Sequence, residues 1–304
     1  MQSLMIRNAI VLLLVSVLSL AGGSSLAIES AESIADVLST GMGDFVAGLD
    51  DDQRDEALYD FDDGERFDLR LAPIGLEGLK ISQMSDAQWS ELEGLLAGVL
   101  SPAGLEKMNT IRSLEREVAE GEGGLLGFFF GGMRDAKRYF LAIFGEPASD
   151  ATWGLRFDGH HLSLNWTAIP DAPLSATPLF LGGQPRIVAP ELERAGLRVL
   201  AAEEDAAVAF LNALSPGERK MARIPWQKGS AIRRPMSIGG DVALELGKAS
   251  GLSRALLDVP ARARFDAVVE VHLGNFAPAI ADRYRAQIYG DASELSIVYA
   301  ADEP

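Results

Sequence analysis

The clearest alternation of apolar and polar positions lies between Trp153 and Gly183. Over WGLRF and again over HLSLN every second residue is apolar, the period of a strand that buries one face. Between these runs, Phe157-Asp158-Gly159-His160 reads as a two-residue hairpin, because Asp-Gly readily takes the positive φ angles of a type I′ turn. That turn predicts Phe157 opposite His160, Arg156 opposite His161, Leu155 opposite Leu162 and Gly154 opposite Ser163. One face then carries Trp153, Leu155, Phe157, His160, Leu162 and Leu164 as core. The other carries Arg156, His161, Ser163, Asn165 and Thr167, a polar surface of mixed donors and acceptors. Leu174 to Phe180 supplies a third strand, with Ser175 and Thr177 on one face.

Residues 28–150 carry mainly the helical period. Asp50 and Ser85 each precede a glutamine by three positions, and Ser101 stands ahead of Pro102, so each opens a helix. Apolar residues recur at Trp89, Leu92, Leu95, Leu96 and Val99, then at Leu105, Met108, Ile111, Leu114 and Val118. Arg112, Glu115, Arg116 and Glu117 on the second helix read as a solvated face. The stretch 121–132 sets three phenylalanines among glycines: a lid, a patch for a partner, or rings tucked into the core. Arg134 to Phe144 reads as a helix with Tyr139, Phe140, Ile143 and Phe144 on its apolar side. Further helices follow at Ala202–Leu214, after a capping box at Ser215–Glu218, and at Arg262–Leu273, and a last strand at Leu295–Tyr299. The expected fold is α+β, a helical N-terminal half packed on a small antiparallel sheet built around the hairpin, with helices returning after it.

Composition changes this picture at the N-terminus. Arg7, the apolar run Ala9–Ala21 and the small residues up to Ala27 form a secretory signal pattern. The run falls short of the roughly 20 residues of a bilayer span. Residues 1–27 are therefore expected to be removed, leaving a single domain over 28–304, with the Pro- and Gly-containing stretch 224–240 as its one internal boundary, in a periplasmic or extracellular protein with no stable membrane span. A formal net charge of −17 argues against a nucleic-acid partner. The absence of cysteine excludes disulfides, thiolate metal sites and a cysteine nucleophile.

Candidate chemistry is sparse. Neither G-x-S-x-G nor H-E-x-x-H occurs, and the glycines of 121–132 match no phosphate loop or dinucleotide fingerprint. Asp60 to Glu65 invites a calcium reading, but its glycine falls one residue early for an EF-hand loop, so helix-start carboxylates explain it better. Glu203, Glu204 and Asp205 similarly suit the first turn of a helix, and a ligand role for them stays open. The hairpin therefore holds the candidate site: Arg156, His161, Ser163 and Asn165 as binding residues for a small polar ligand or a protein partner. The alternative is an exported metal-dependent enzyme in which His161, with or without His160, ligates a divalent transition metal. Adjacent strand residues point to opposite faces, so both imidazoles reach one ion only if the strand is distorted.

GHHLSLN, SATPLFLGGQP and AGLRVLAAEED, with LDDDQRDEALYDFDDGER, LSPAGLEKMNTIRSLE and RDAKRYFLAIFGEP upstream, resemble the bacterial family catalogued as domain of unknown function 3500. The resemblance implies, beyond a segment like IVYAADEP, a Tyr-rich strand, an Asn and a His-x-His element. This chain ends at Pro304, before them, so an activity that uses those histidines is not expected of it.

Overall fold

The structure is a computed structural model and describes residues 28–67, 75–121, 137–225, 251–290 and 295–301. The expected signal segment and nearly all of the Gly/Phe stretch 121–132 lie outside these residues, as does the irregular stretch beyond Pro225. The first part is helical as expected: α1 (Ile28–Ala47), α2 (Asp51–Ala57), α3 (Asp86–Val99) and α4 (Pro102–Gly121). Asp50 and Ser85 accept hydrogen bonds from the backbone N–H groups of Gln53 and Gln88, and each glutamine side chain accepts from its cap in return. Four orphan backbone donors are satisfied in this way, which is why these two helices start where they do.

The sheet follows. Its strands are β1 (Leu58–Tyr59), β2 (Leu79–Lys80), β3 (Phe140–Phe144), β4 (Trp153–Gly159), β5 (Leu162–Ala168) and β6 (Leu179–Leu181). The order is β1-β3-β4-β5-β6, with β2 sharing the outer edge of β3. Every pairing is antiparallel except that of β1 with β3. Phe140–Phe144 is therefore a central strand and not the end of a helix. Five consecutive apolar residues buried on both faces carry no period that separates strand from helix, and pairing on both edges decides the matter. The predicted third strand is shorter and later than expected, with Ser175 making only an isolated bridge to Thr167.

The hairpin turns two residues later than the Asp-Gly signal indicates. Gly159 pairs with Leu162, Asp158 with Ser163, Phe157 with Leu164 and Arg156 with Asn165, so His160 and His161 are the turn residues. His161 takes the positive φ, +59°, and histidine is among the residues that tolerate the left-handed region. The longer ladder buries Leu162 and delivers Asp158 to Arg156. Because the shift is two residues on each strand, the strand residues keep the faces assigned from the alternation.

Trp153, Leu155, Phe157, Leu162 and Leu164 form the floor of the main core with Leu141 and Ile143. Above them sit α1, whose Ser39 hydroxyl accepts from the Trp153 indole N–H at 2.8 Å, and α3, whose Trp89 meets the Phe157 ring at 6.0 Å. The opposite face is not a polar surface open to solvent. Arg156, Asp158 and Ser163 are fully or almost fully buried there, with the Glu65 and Glu77 carbonyls against Arg156.

After the sheet come α5 (Ala201–Ala213), α6 (Pro216–Ala222), α7 (Val259–Leu273) and α8 (Pro278–Gly290). Ser215 caps α6 in the expected capping box. α5 lies against α7 with Phe210 and Phe265 edge to face at 5.5 Å. The expected strand near the C-terminus is two short ones: β9 (Ser296–Ile297) pairs with β8 (Leu252–Ser253), and β10 (Tyr299–Ala301) runs parallel to β7 (Arg223–Pro225). A single cluster of buried apolar residues extends from Ala35 to Ile297 through the central strands and the helices on either side of them in sequence. No described helix is long and apolar enough to cross a membrane.

Candidate functional site

The polar residues of the hairpin divide into two groups. Arg156 belongs to a buried ion cluster. Its Nη1 donates to the Glu65 carboxylate at 2.7 Å and to the Glu65 carbonyl, its Nη2 donates to the Glu77 carbonyl at 2.9 Å, and its Nε lies 3.3 Å from Asp158. Only 1% of its side chain is exposed. Such an arginine closes the lower face of the sheet and ties down the acidic run Asp60–Glu65, whose Asp63 also accepts from the backbone N–H of Glu65. The run thus works as a short 3₁₀ cap and a counter-charge. Ser163 is buried beside this cluster and accepts from the Asn165 amide at 3.0 Å; Asn165 also donates to the Pro178 carbonyl at 3.1 Å.

The second group gathers at the turn itself. His160 was expected to face the core beside Phe157, and His161 to lie on the opposite face. Turn residues are free of strand alternation, and the two imidazoles instead stand edge to face with centroids 4.2 Å apart. His160 Nδ1 is 2.8 Å from Glu115 Oε1, with the carboxylate 2% and the imidazole 14% exposed. His161 Nε2 is 2.6 Å from Gln184 Oε1 at the outer edge, and the His161 carbonyl accepts from the backbone N–H of Gly182 at 2.7 Å. Below them the buried Tyr139 donates its hydroxyl to the His160 carbonyl at 2.9 Å and stacks on Phe157 at 6.0 Å. Burial first, and then the Glu115 carboxylate, push the Tyr139 phenol well above its ordinary value, so it stays a donor. Arg112 lies over the Trp89 ring at 4.1 Å and the Tyr139 ring at 5.5 Å, and burial holds its guanidinium below the usual arginine value.

The structure therefore brings His160 and His161 together and keeps Arg156 and Ser163 apart from them, inside the sheet. Glu115, Tyr139, Arg112 and Gln184 are partners that the alternation did not bring forward. Glu115 and Arg112 had been placed on a solvated helix face. A signal for Glu115 does exist: it falls four residues after Ile111 and seven after Met108, on the stripe that those buried residues define.

The remaining candidate ligands point elsewhere. Glu203 pairs with Lys107, Glu204 with Arg186 and Arg198, and Asp205 with Arg198 at 2.7 Å. His272 hydrogen-bonds the Val268 carbonyl of its own helix at 2.8 Å. Among the described residues no group of three or more histidine, aspartate and glutamate side chains is placed to hold a metal ion. What the turn offers chemically is a pair of imidazoles, one backed by a buried carboxylate and one by an amide.

A family model described as "Protein of unknown function (DUF3500)" matches residues 31–303. No curated protein and no solved structure matches the chain.

Proposed function

The chain belongs to this DUF3500 family of unknown function, and from that premise we propose that it is an exported, single-domain protein, starting near residue 28, that binds a small polar ligand at the hairpin turn. The observation that carries this reading is the Glu115–His160 pair. A carboxylate withdrawn from water costs several kcal/mol in effective desolvation unless it is well paired. A chain that needed only stability would fill this place with an apolar side chain. Placing the pair beside a second imidazole at the end of a rigid sheet orients polar groups on a fixed element, the arrangement expected of a recognition site. In this reading His161 and Gln184 form the rim, whereas Arg156, Ser163 and Asn165 contribute by holding the sheet face that supports the turn.

The test is saturation-transfer difference spectroscopy of the mature protein with mixtures of small polar compounds, repeated on His161→Ala and Gln184→Ala. Signals that vanish in both variants support the reading; signals that persist unchanged in both place binding elsewhere. Export is tested separately by mass spectrometry of the protein from its native host. An N-terminus near Ile28 is expected, and recovery of intact Met1 protein from the cytoplasm would refute export.

A second reading, an exported metal-dependent enzyme, is favoured by one feature. A carboxylate that fixes one nitrogen of an imidazole is the usual outer-shell partner of a metal-ligating histidine, and His161 lies alongside. Elemental analysis of wild type, His160→Ala and His161→Ala decides it. About one zinc, copper or iron per chain, lost in both variants, would replace the binding reading with the metal one.

A further inference from the structure

The hydrogen bonds at the turn restrict what the ligand can be. A carboxylate accepts and never donates, and in a neutral imidazole one nitrogen carries the proton and the other a lone pair. Glu115 Oε1 sits at hydrogen-bond distance from His160 Nδ1, so in the neutral ring the proton is on Nδ1 and the lone pair is on Nε2. The same logic holds on the second ring. Gln184 presents its amide oxygen to His161 Nε2, so that N–H is directed at the protein as well. Neither neutral ring has an N–H to offer a ligand. Behind His160 lies the negative charge of Glu115, almost wholly shielded from water, and the chain as a whole carries a formal −17. Both repel an anion approaching the turn. Arg112 on α4 has its guanidinium face against Trp89 and donates to Asn109 at 3.1 Å.

We propose that the neutral His160 ring, its proton held on Nδ1 by Glu115, is the hydrogen-bond acceptor of the site through Nε2, and that its ligand is a small neutral or cationic molecule presenting an O–H or N–H donor, not an anion. This rests on the reading of the turn as a binding site and adds the ligand's chemical class. Glu115 is the positioning residue, because it selects the tautomer. Tyr139 contributes by holding the His160 carbonyl, and with it the direction of the ring.

The chain has only three histidines, so every imidazole nitrogen can be followed in long-range proton–nitrogen spectra of histidine-labelled protein. The ring is first titrated to find its neutral form. The result expected there is His160 protonated on Nδ1, with that preference lost in Glu115→Gln. Sorbitol, methylammonium, acetate and sulfate are then added separately to the wild-type protein. A saturable shift of His160 Nε2 with sorbitol or methylammonium, and none with acetate or sulfate, is expected; which of the first two responds separates a polyol-like ligand from an amine. A proton on Nε2 in the neutral ring, or a saturable response to either anion, overturns the ligand class while leaving the binding reading intact. The expected tautomer with no response to any of the four probes overturns the ligand class, and an empty difference-spectroscopy screen alongside it removes the binding reading too.

Discussion

Replacing Gly159 by alanine tests the arrangement under the turn. A methyl group built on Gly159 would lie 2.5 Å from Tyr139 Cδ1 and 2.8 Å from its Cε1 and Cγ. Non-bonded carbons prefer about 3.5 to 4.0 Å, so the ring would have to retreat by roughly 1 Å. It has nowhere cheap to go: Tyr139 is fully buried, stacked on Phe157, and bonded through its hydroxyl to the His160 carbonyl. Overpacking of this kind costs about 1 to 3 kcal/mol. Losing the hydroxyl bond adds about 1 kcal/mol. Against this stands a gain of about 0.4 to 1 kcal/mol from the stiffer unfolded chain, since Gly159 is in the extended ladder where alanine is unstrained. The net expectation is a loss of about 1 to 3.5 kcal/mol by urea unfolding. In a Tyr139→Ala background the same substitution should cost less than about 0.5 kcal/mol, because the ring atoms it strikes, Cγ and Cδ1 included, are gone. A neutral Gly159→Ala would refute the close approach of ring and strand; a full cost that persists in the Tyr139→Ala background would refute it too and bring back a turn at Asp158-Gly159, with positive φ, as the explanation of the glycine.

Arg156→Met should cost about 3 to 5 kcal/mol, because it takes the cation from the buried Asp158 and the half-buried Glu65 carboxylates; adding Glu65→Gln should recover part of it, and no recovery in urea unfolding would mean the cluster is not the cause. Ser85→Ala should cost about 1 kcal/mol through the lost helix cap, read as a shift in the urea midpoint at constant slope. Burial first, then the Glu77 carboxylate, push the Tyr59 phenol up to about 12 from an ordinary 10.0. The folded state thus holds a proton that the unfolded chain releases, so the stability Tyr59 contributes is intact below pH 10 and is lost as pH rises towards 12. Stability measured across that window should fall less steeply in Tyr59→Phe, and an identical slope would contradict the assignment.

What could be read in the sequence follows the range of the interaction concerned. The caps at Asp50, Ser85 and Ser215 are satisfied within four residues, so short patterns reveal them. The two faces of the hairpin were legible despite a wrong turn, because faces depend only on parity. Register was not, because the Asp-Gly preference is a local term. Here the pairing of Asp158 with Arg156 and the burial of Leu162 outweigh it. Phe140–Phe144 failed for a different reason: a strand buried on both faces has no period to read. The candidate site was half legible. His160 and His161 are conspicuous by identity, whereas Glu115 is 45 residues away and was hidden among other charges on the same helix.

The turn itself shows why those two imidazoles came to be neighbours. Strand geometry would have sent them to opposite faces, and only the two positions of a turn release consecutive side chains from that rule. Their placement then depends on small residues that admit them. Gly159 leaves room for the Tyr139 ring that holds the His160 carbonyl. Gly182 does the same for His161, since a methyl group there would come within 2.7 Å of Nδ1. Neither glycine has a positive φ, so each is required by close approach and not by backbone conformation. The sheet, α4 and the β6 edge thus fix the two rings from below, behind and beside, through contacts within the chain itself. The proposed binding at this turn would therefore cost little conformational entropy, and the placement of the two rings is specified by packing at Tyr139 and Gly182 as much as by the histidines themselves.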